Sequence, residues 1–235
     1  MNVVQEFSRF ANLYDTYNII QSQVAKKLVS LIENKYYNQV IDIGCGSGVV
    51  YKKMIEDEII FDRFIAVDFS QEMLNIHPTL PKIEKKCLDF NSHKSFKLLQ
   101  NNKYDLLVSS SALQWSVNLD MTLRELSLIA KEYCFSFFTA NTFATLHKVA
   151  GVKSPIYRVD SIKSVINKYY NFSFEIVNYR LSFDNVLEMF QYIKKSGVSG
   201  GEKQLSYKQI KEVIKEYPLD YLEFEVLFIR AKRKN

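Results

Sequence analysis

The stretch VIDIGCGSG, residues 40–48, packs three of the chain's seven glycines into five positions. An apolar run closing on an acid and then on alternating glycines predicts a buried strand (QVIDIG, 39–44) that turns tightly into a helix (VVYKKMIED). Glycine permits backbone conformations that a Cβ resists, so such a turn can run close to a neighbouring chain or a ligand. The pattern then repeats. RFIAVDFS (63–70), IEKKCLDF (83–90), YDLLVSSSA (104–112) and CFSFFTAN (134–141) read as further strands. SQEMLNI, with Ser70 as N-cap, and NLDMTLRELSLIAKE (118–132) read as helices between them. Residues 15–34 place apolar side chains at 19, 20, 24, 28, 31 and 32, which is helical spacing. Strand and helix alternating in this way predict a parallel sheet covered by helices on both faces.

After residue 150 the rhythm changes. SIKSVINKYY reads as a helix, 172–183 as a half-exposed strand, 184–197 as a helix closed by Gly197, and 223–233 as a last strand. SYKQIKEVIKEY opens with a Ser206/Gln209 capping box. The expected organisation is one domain over 1–235, with an N-terminal helical cap region (1–38), a ligand-binding half (39–141) and a partner half (142–235).

Composition narrows the function classes. No apolar run reaches the roughly 18–20 residues of a membrane helix, and the first 15 residues lack a signal-peptide apolar core. Cys45, Cys87 and Cys134 are odd in number and widely spaced, as expected of reduced thiols in a cytoplasmic protein. His77, His93 and His147 show no metal-ligand spacing, so no metal is expected. Residues 1–150 hold 16 basic and 16 acidic side chains, and residues 151–235 hold 15 and 10. The whole net charge of +5 therefore lies in the last third. That is a solvated tail or a face for an acidic partner, and too small an excess to indicate nucleic acid.

The glycine turn excludes one ligand class outright. A phosphate loop ends in Gly-Lys-Ser/Thr, whereas Val49-Val50 follow Gly48. The dinucleotide fingerprint needs a third glycine where Val49 stands, and Asp42 would sit poorly beside a pyrophosphate. A carboxylate there suits a cationic ligand, or simply caps the turn. Asp68 closes the second strand where an acid can accept from two ribose hydroxyls, and Asp89-Phe90 close the third near where an adenine would lie. Three strand ends with carboxylates make one polar rim at the sheet's carboxyl edge.

These residues carry a family resemblance. IDIGCGSG, AVDFSQEML, LDF and YDLLVSSSALQW, in that order, are similar to the motifs of class I S-adenosylmethionine-dependent methyltransferases. The resemblance implies a Rossmann-like α/β fold: a seven-stranded, mostly parallel sheet with one antiparallel strand, helices on both faces and a small substrate-side cap. It implies S-adenosylmethionine as cofactor, held by Arg9, Gln21, Asp42, Gly44, Gly46, Gly48, Asp68, Phe69, Met73, Asp89, Phe90 and Ser109.

A narrower resemblance, to the malonyl-acyl-carrier-protein O-methyltransferases of biotin synthesis, spans nearly the whole chain. FSRFANLYDTYNIIQSQVAKKL supplies Phe7, Arg9, Ala11, Tyr14 and Gln21 in that family's N-terminal pattern, and SSSALQWSVNLDMTLREL its Gln-Trp segment. FFTANTFATLHKV and YPLDYLEFEVLFIRAKR resemble its later segments. Ala130–Tyr133 lacks the Pro-Gly-Gly common before the fifth strand, and the stretch from His147 to Asp160 is short. The implied chemistry is attack by an ionised malonyl carboxylate, which needs no general base, on a carrier-protein substrate. Tyr14, Tyr17, Gln114 and Trp115 are placed over the substrate channel, with Lys148 or Arg180 as the cation for the carboxylate. Trp115 could equally be packing, and Arg124 reads as a structural ion-pair residue. Rival readings are a methyltransferase for another small acid or a quinone precursor, a non-catalytic binding domain, and a nicotinamide oxidoreductase.

Overall fold

In the computed structural model, residues 18–100, 103–195 and 207–234 are described. Seven strands form a single sheet in the order β3-β2-β1-β4-β5-β7-β6. They are β1 (Tyr36–Ile43), β2 (Ile60–Asp68), β3 (Ile83–Cys87), β4 (Tyr104–Ser110), β5 (Ala130–Phe138), β6 (Tyr170–Ser182) and β7 (Tyr221–Arg233). Strands β1 to β5 pair in parallel, and β7 runs antiparallel to both β5 and β6. This is the α/β sheet expected, with β7 as its one reversed strand.

The helices are α1 (Ile19–Val29), α2 (Val49–Glu56), α3 (Gln71–Ile76), α4 (His93–Leu99), α5 (Leu119–Leu126), α6 (Ala144–Ala150), α7 (Val159–Tyr169), α8 (Val186–Lys195) and α9 (Tyr207–Glu216). None among the described residues is long and apolar enough to cross a membrane. One face of the sheet packs α1, α2 and α8 around Val40, Phe64, Val108 and Phe228. The other packs α4, α5 and α7 around Ile41, Leu107, Phe135 and Leu227. The last four residues of β1, Val40, Ile41, Asp42 and Ile43, are buried. A strand covered on both faces reads as an unbroken apolar run, which is why VIDI carries no alternation.

Two expectations shift at their boundaries. The helix read over 118–132 ends at Leu126, because Ala130 and Glu132 already pair with β4 as the start of β5. The helix read over 15–34 spans Ile19–Val29. Helices α4 and α6 have only short apolar spacing and were not expected. Gly197 and Ser206 lie outside the described residues.

The C-terminal third does not form a lobe of its own, since β6 and β7 complete the sheet. Its terminal cations are tied down: Arg230 pairs with Glu33, Lys232 with Glu132 at 3.4 Å, and Lys234 donates to Asn167 O. Phe135 sits fully buried among Tyr133, Phe137 and Tyr170. Phe135→Ala should destabilise the fold by about 3–5 kcal/mol, read by urea unfolding. A loss under 1 kcal/mol would contradict this packing.

Candidate active site

The strand order reverses direction between β1 and β4, which opens a crevice at their carboxyl ends, the usual ligand position in open α/β sheets. The glycine turn lies there. Gly44 N and Cys45 N both donate to Val67 O on β2, at 2.8 and 3.0 Å. Gly44 has φ +74°, and a Cβ on it would meet Ala112 Cβ at 2.3 Å. The loop after β4 therefore closes directly onto the turn. Gly48, with φ +84°, caps α2, and a Cβ there would strike Pro78 and the His77 ring at 2.7 and 2.8 Å. Gly48 thus serves packing against the 77–78 loop.

Asp68 ends β2 and is buried. Its Oδ2 accepts from Gly46 N and its Oδ1 from Ser70 N, each at 2.9 Å. Burial raises its carboxyl pKa, opposed by the amides of Ser70, Gly46 and Phe69 that favour the anion. A carboxylate has about four acceptor sites, so capacity remains for a ligand. Ser70 caps α3 by accepting from Met73 N at 3.2 Å, which seats Met73 at the rim.

A pocket opens at this edge, with about 450 Å³ of empty space counting its mouth. Gly44, Gly46, Asp68, Phe69, Met73 and Phe90 line one side, and Ser110, Ser111, Ala112 and Trp115 the other. Asp42 lies beneath the turn, fully enclosed, and neither carboxylate oxygen makes a hydrogen bond among the described residues. Its register neighbours are Ala66 and Val108. Burial first, and the like charge of Asp68 second, push its pKa well above the carboxylate range.

Of the other residues singled out from sequence, Arg9, Tyr14 and Tyr17 lie outside the described residues. Gln21 is buried on α1, its Oε1 without a hydrogen bond among the described residues. Asp89 is exposed beside the rim and accepts from Asn91 N at 2.8 Å. Ser109 does not line the pocket: its hydroxyl lies within the sheet and donates to Ile43 O at 2.6 Å. Gln114 is buried behind the wall, its Nε2 donating to Ser111 O at 2.7 Å. Lys148 is exposed on α6 and outside the lining. Arg180 stands on the far edge strand with its guanidinium 4.8 Å from the Tyr221 ring centre. Four strand steps of about 4.8 Å separate that strand from β1. Arg124 pairs with Glu125 at 3.0 Å. The lining serines 110 and 111 were missed; the triple serine ending the fourth strand was the available signal.

Comparison with known proteins agrees with this geometry. Residues 41–133, from the first strand's end to the fifth strand, match the family described as a methyltransferase domain. The fold is shared with YcgJ of Bacillus subtilis (TM-score 0.66, 13% identity, 91% of this chain and 99% of that one). It is shared too with phosphoethanolamine N-methyltransferase 2 of Haemonchus contortus, solved with S-adenosylhomocysteine (TM-score 0.53, 13% identity, 91% and 52%). The chain therefore has the class I methyltransferase fold, and its first five strands contain the stretch that matches the methyltransferase-domain family.

Curated relatives are more particular. A malonyl-[acyl-carrier protein] O-methyltransferase of Bacillus cytotoxicus is 28% identical over 61% of this chain and 52% of its own length. One of Haemophilus ducreyi is 24% identical over 99% and 96%. The chain thus spans about half the length of the first relatives it matches, and nearly all of the Haemophilus ducreyi one.

The elevated pKa of Asp42 has a consequence for folding. The folded protein keeps this proton above the unfolded carboxyl value near 3.9, so stability is lost as pH rises from there through the folded pKa. Asp42→Asn should therefore be more stable than the parent at pH 7 by on the order of 1 kcal/mol or more, the gap narrowing toward pH 4. Urea unfolding at pH 4, 5.5 and 7 checks it; a gap independent of pH contradicts it.

Proposed function

We propose that the chain transfers a methyl group from S-adenosylmethionine to the free carboxylate of a malonyl thioester on acyl carrier protein. The observation that carries the first half is Asp68: a buried carboxylate, fixed by two backbone amides, with acceptor sites left for ribose hydroxyls at the pocket floor. The fit extends further. Gly46 leaves open space where a side chain would stand, and Asp42, unpartnered among the described residues, would be drawn toward its anion by a ligand cation bound above it. Phe69, Met73 and Phe90 give apolar walls for a purine.

The bound cofactor would supply an electrophilic methyl on its sulfonium. What remains for the protein is alignment and exclusion of water. A malonyl carboxylate is ionised at neutral pH, so no base is required. Among the described residues, the polar groups of the lining are Asp68, two serines and the Trp115 indole. The acceptor's identity rests on the curated relatives, among them one from Haemophilus ducreyi matched over nearly its full length. The excess of five positive charges in residues 151–235 supports an acidic protein partner.

Intact-mass spectrometry of malonyl-acyl carrier protein incubated with the protein and S-adenosylmethionine tests the proposal. Unloaded carrier and malonyl-coenzyme A run beside it. One added methylene on the malonyl carrier is expected; cofactor binding with no such gain removes the acceptor assignment. Asp68→Ala should weaken S-adenosylhomocysteine binding at least about tenfold by calorimetry. Unchanged affinity would remove the cofactor assignment.

A further inference from the structure

The pocket has two chemically different ends. On the β2 side its wall is the Asp68 carboxylate, and on the β4 side it is Ser110, Ser111, Ala112 and Trp115. None of the described lining residues carries a positive charge. Yet both ligands of the proposed reaction bear a carboxylate: the methionyl group of the cofactor and the acid of the acceptor. An anion is repelled by Asp68, so it belongs at the β4 end, where hydrogen-bond donors must replace its water.

Ser111 is built for that position. Its Oγ is buried and makes no hydrogen bond among the described residues. A buried hydroxyl without a partner is costly, so the vacancy itself points to a ligand group. The backbone there is left-handed, φ +56°, uncommon for serine. Such a conformation persists only where the surroundings over-determine it, and it concentrates at ligand-binding positions. Here Ser111 N donates to Ser136 O at 3.0 Å, and Ser111 O accepts from Gln114 Nε2 at 2.7 Å. Ala112 next to it is wedged against Gly44, which blocks relaxation. Ser110, by contrast, already accepts from Ser136 Oγ at 3.2 Å.

We infer that Ser111 is a carboxylate-binding residue of this pocket, its hydroxyl donating to a ligand carboxylate at the β4 end. Gln114 is its positioning residue, holding the Ser111 carbonyl from behind. A hydroxyl orients an anion without the tight ion pair that would dull its attack, so the arrangement suits a carboxylate nucleophile as well as a cofactor carboxylate. The inference rests on the function proposed above, and its test separates the two sources.

Ser111→Ala and Ser111→Gly, the latter relieving the left-handed backbone, are compared with the parent by calorimetry. The probes are S-adenosylhomocysteine and its decarboxylated analogue. Alongside, KM and kcat are measured with malonyl-acyl carrier protein. If the group held is the cofactor's, affinity for S-adenosylhomocysteine falls about 10- to 100-fold while the analogue binds as before. If it is the acceptor's, KM rises by a similar factor and S-adenosylhomocysteine binding is unchanged. Equal losses for both probes, or variants indistinguishable from the parent, overturn the inference alone. A parent protein that binds no S-adenosylhomocysteine overturns it together with the proposed function.

Discussion

The site depends on how the Asp68 carboxylate is held. One oxygen takes the amide of Gly46, the other that of Ser70, and both bonds are 2.9 Å. The first ties the glycine turn to the end of β2; the second ties the start of α3 to the same point. Val67 O adds Gly44 N and Cys45 N to the junction, and Asp68 O accepts from Leu88 N beyond β3. Three strand ends and two helix starts therefore converge on two residues. Charge-assisted bonds to fixed amides are short and directional, so the ligand-facing side of this carboxylate is set before any ligand arrives.

Asp42 is the counterpart inside the fold. It stands where the parallel sheet would most easily accept an apolar residue, between Ala66 and Val108, and it lacks any hydrogen bond among the described residues. A position that costs stability and has no structural return is expected at a functional site rather than in ordinary core. Asp68 beside the turn biases the crevice toward a ligand that carries positive charge, and Asp42 below it would give up its proton more readily once such a ligand is bound, while the serine-rich wall after β4 receives the opposite sign.

Much of this was legible in the sequence because it is local. VIDIG followed by glycines at alternate positions encodes strand, turn and approach surface in nine residues, and the acids at 68 and 89 fall at strand ends by simple counting. The seven-stranded order with one reversed strand followed from the family resemblance, since no local pattern states that β7 inserts between β5 and β6. Side-chain direction was the part that periodicity could not resolve. Ser109, Ser110 and Ser111 are consecutive, yet one bonds within the sheet while the other two line the pocket. Arg180 and Lys148 were attractive for their charge alone, but strand order puts Arg180 at the far edge and exposure leaves Lys148 outside the wall. Distance across a sheet is a tertiary quantity, and composition carries no trace of it.

The proposed function requires that the crevice between β1 and β4 take an adenosine ligand whose ribose meets Asp68. A crystal structure with S-adenosylhomocysteine tests it most directly. The ribose hydroxyls should lie on Asp68 while its bonds to Gly46 N and Ser70 N persist, with the homocysteine over Gly44 and Gly46 and the purine between Phe69 and Phe90. A nucleoside bound elsewhere, or one in this crevice with Asp68 making no contact to it, would contradict the account.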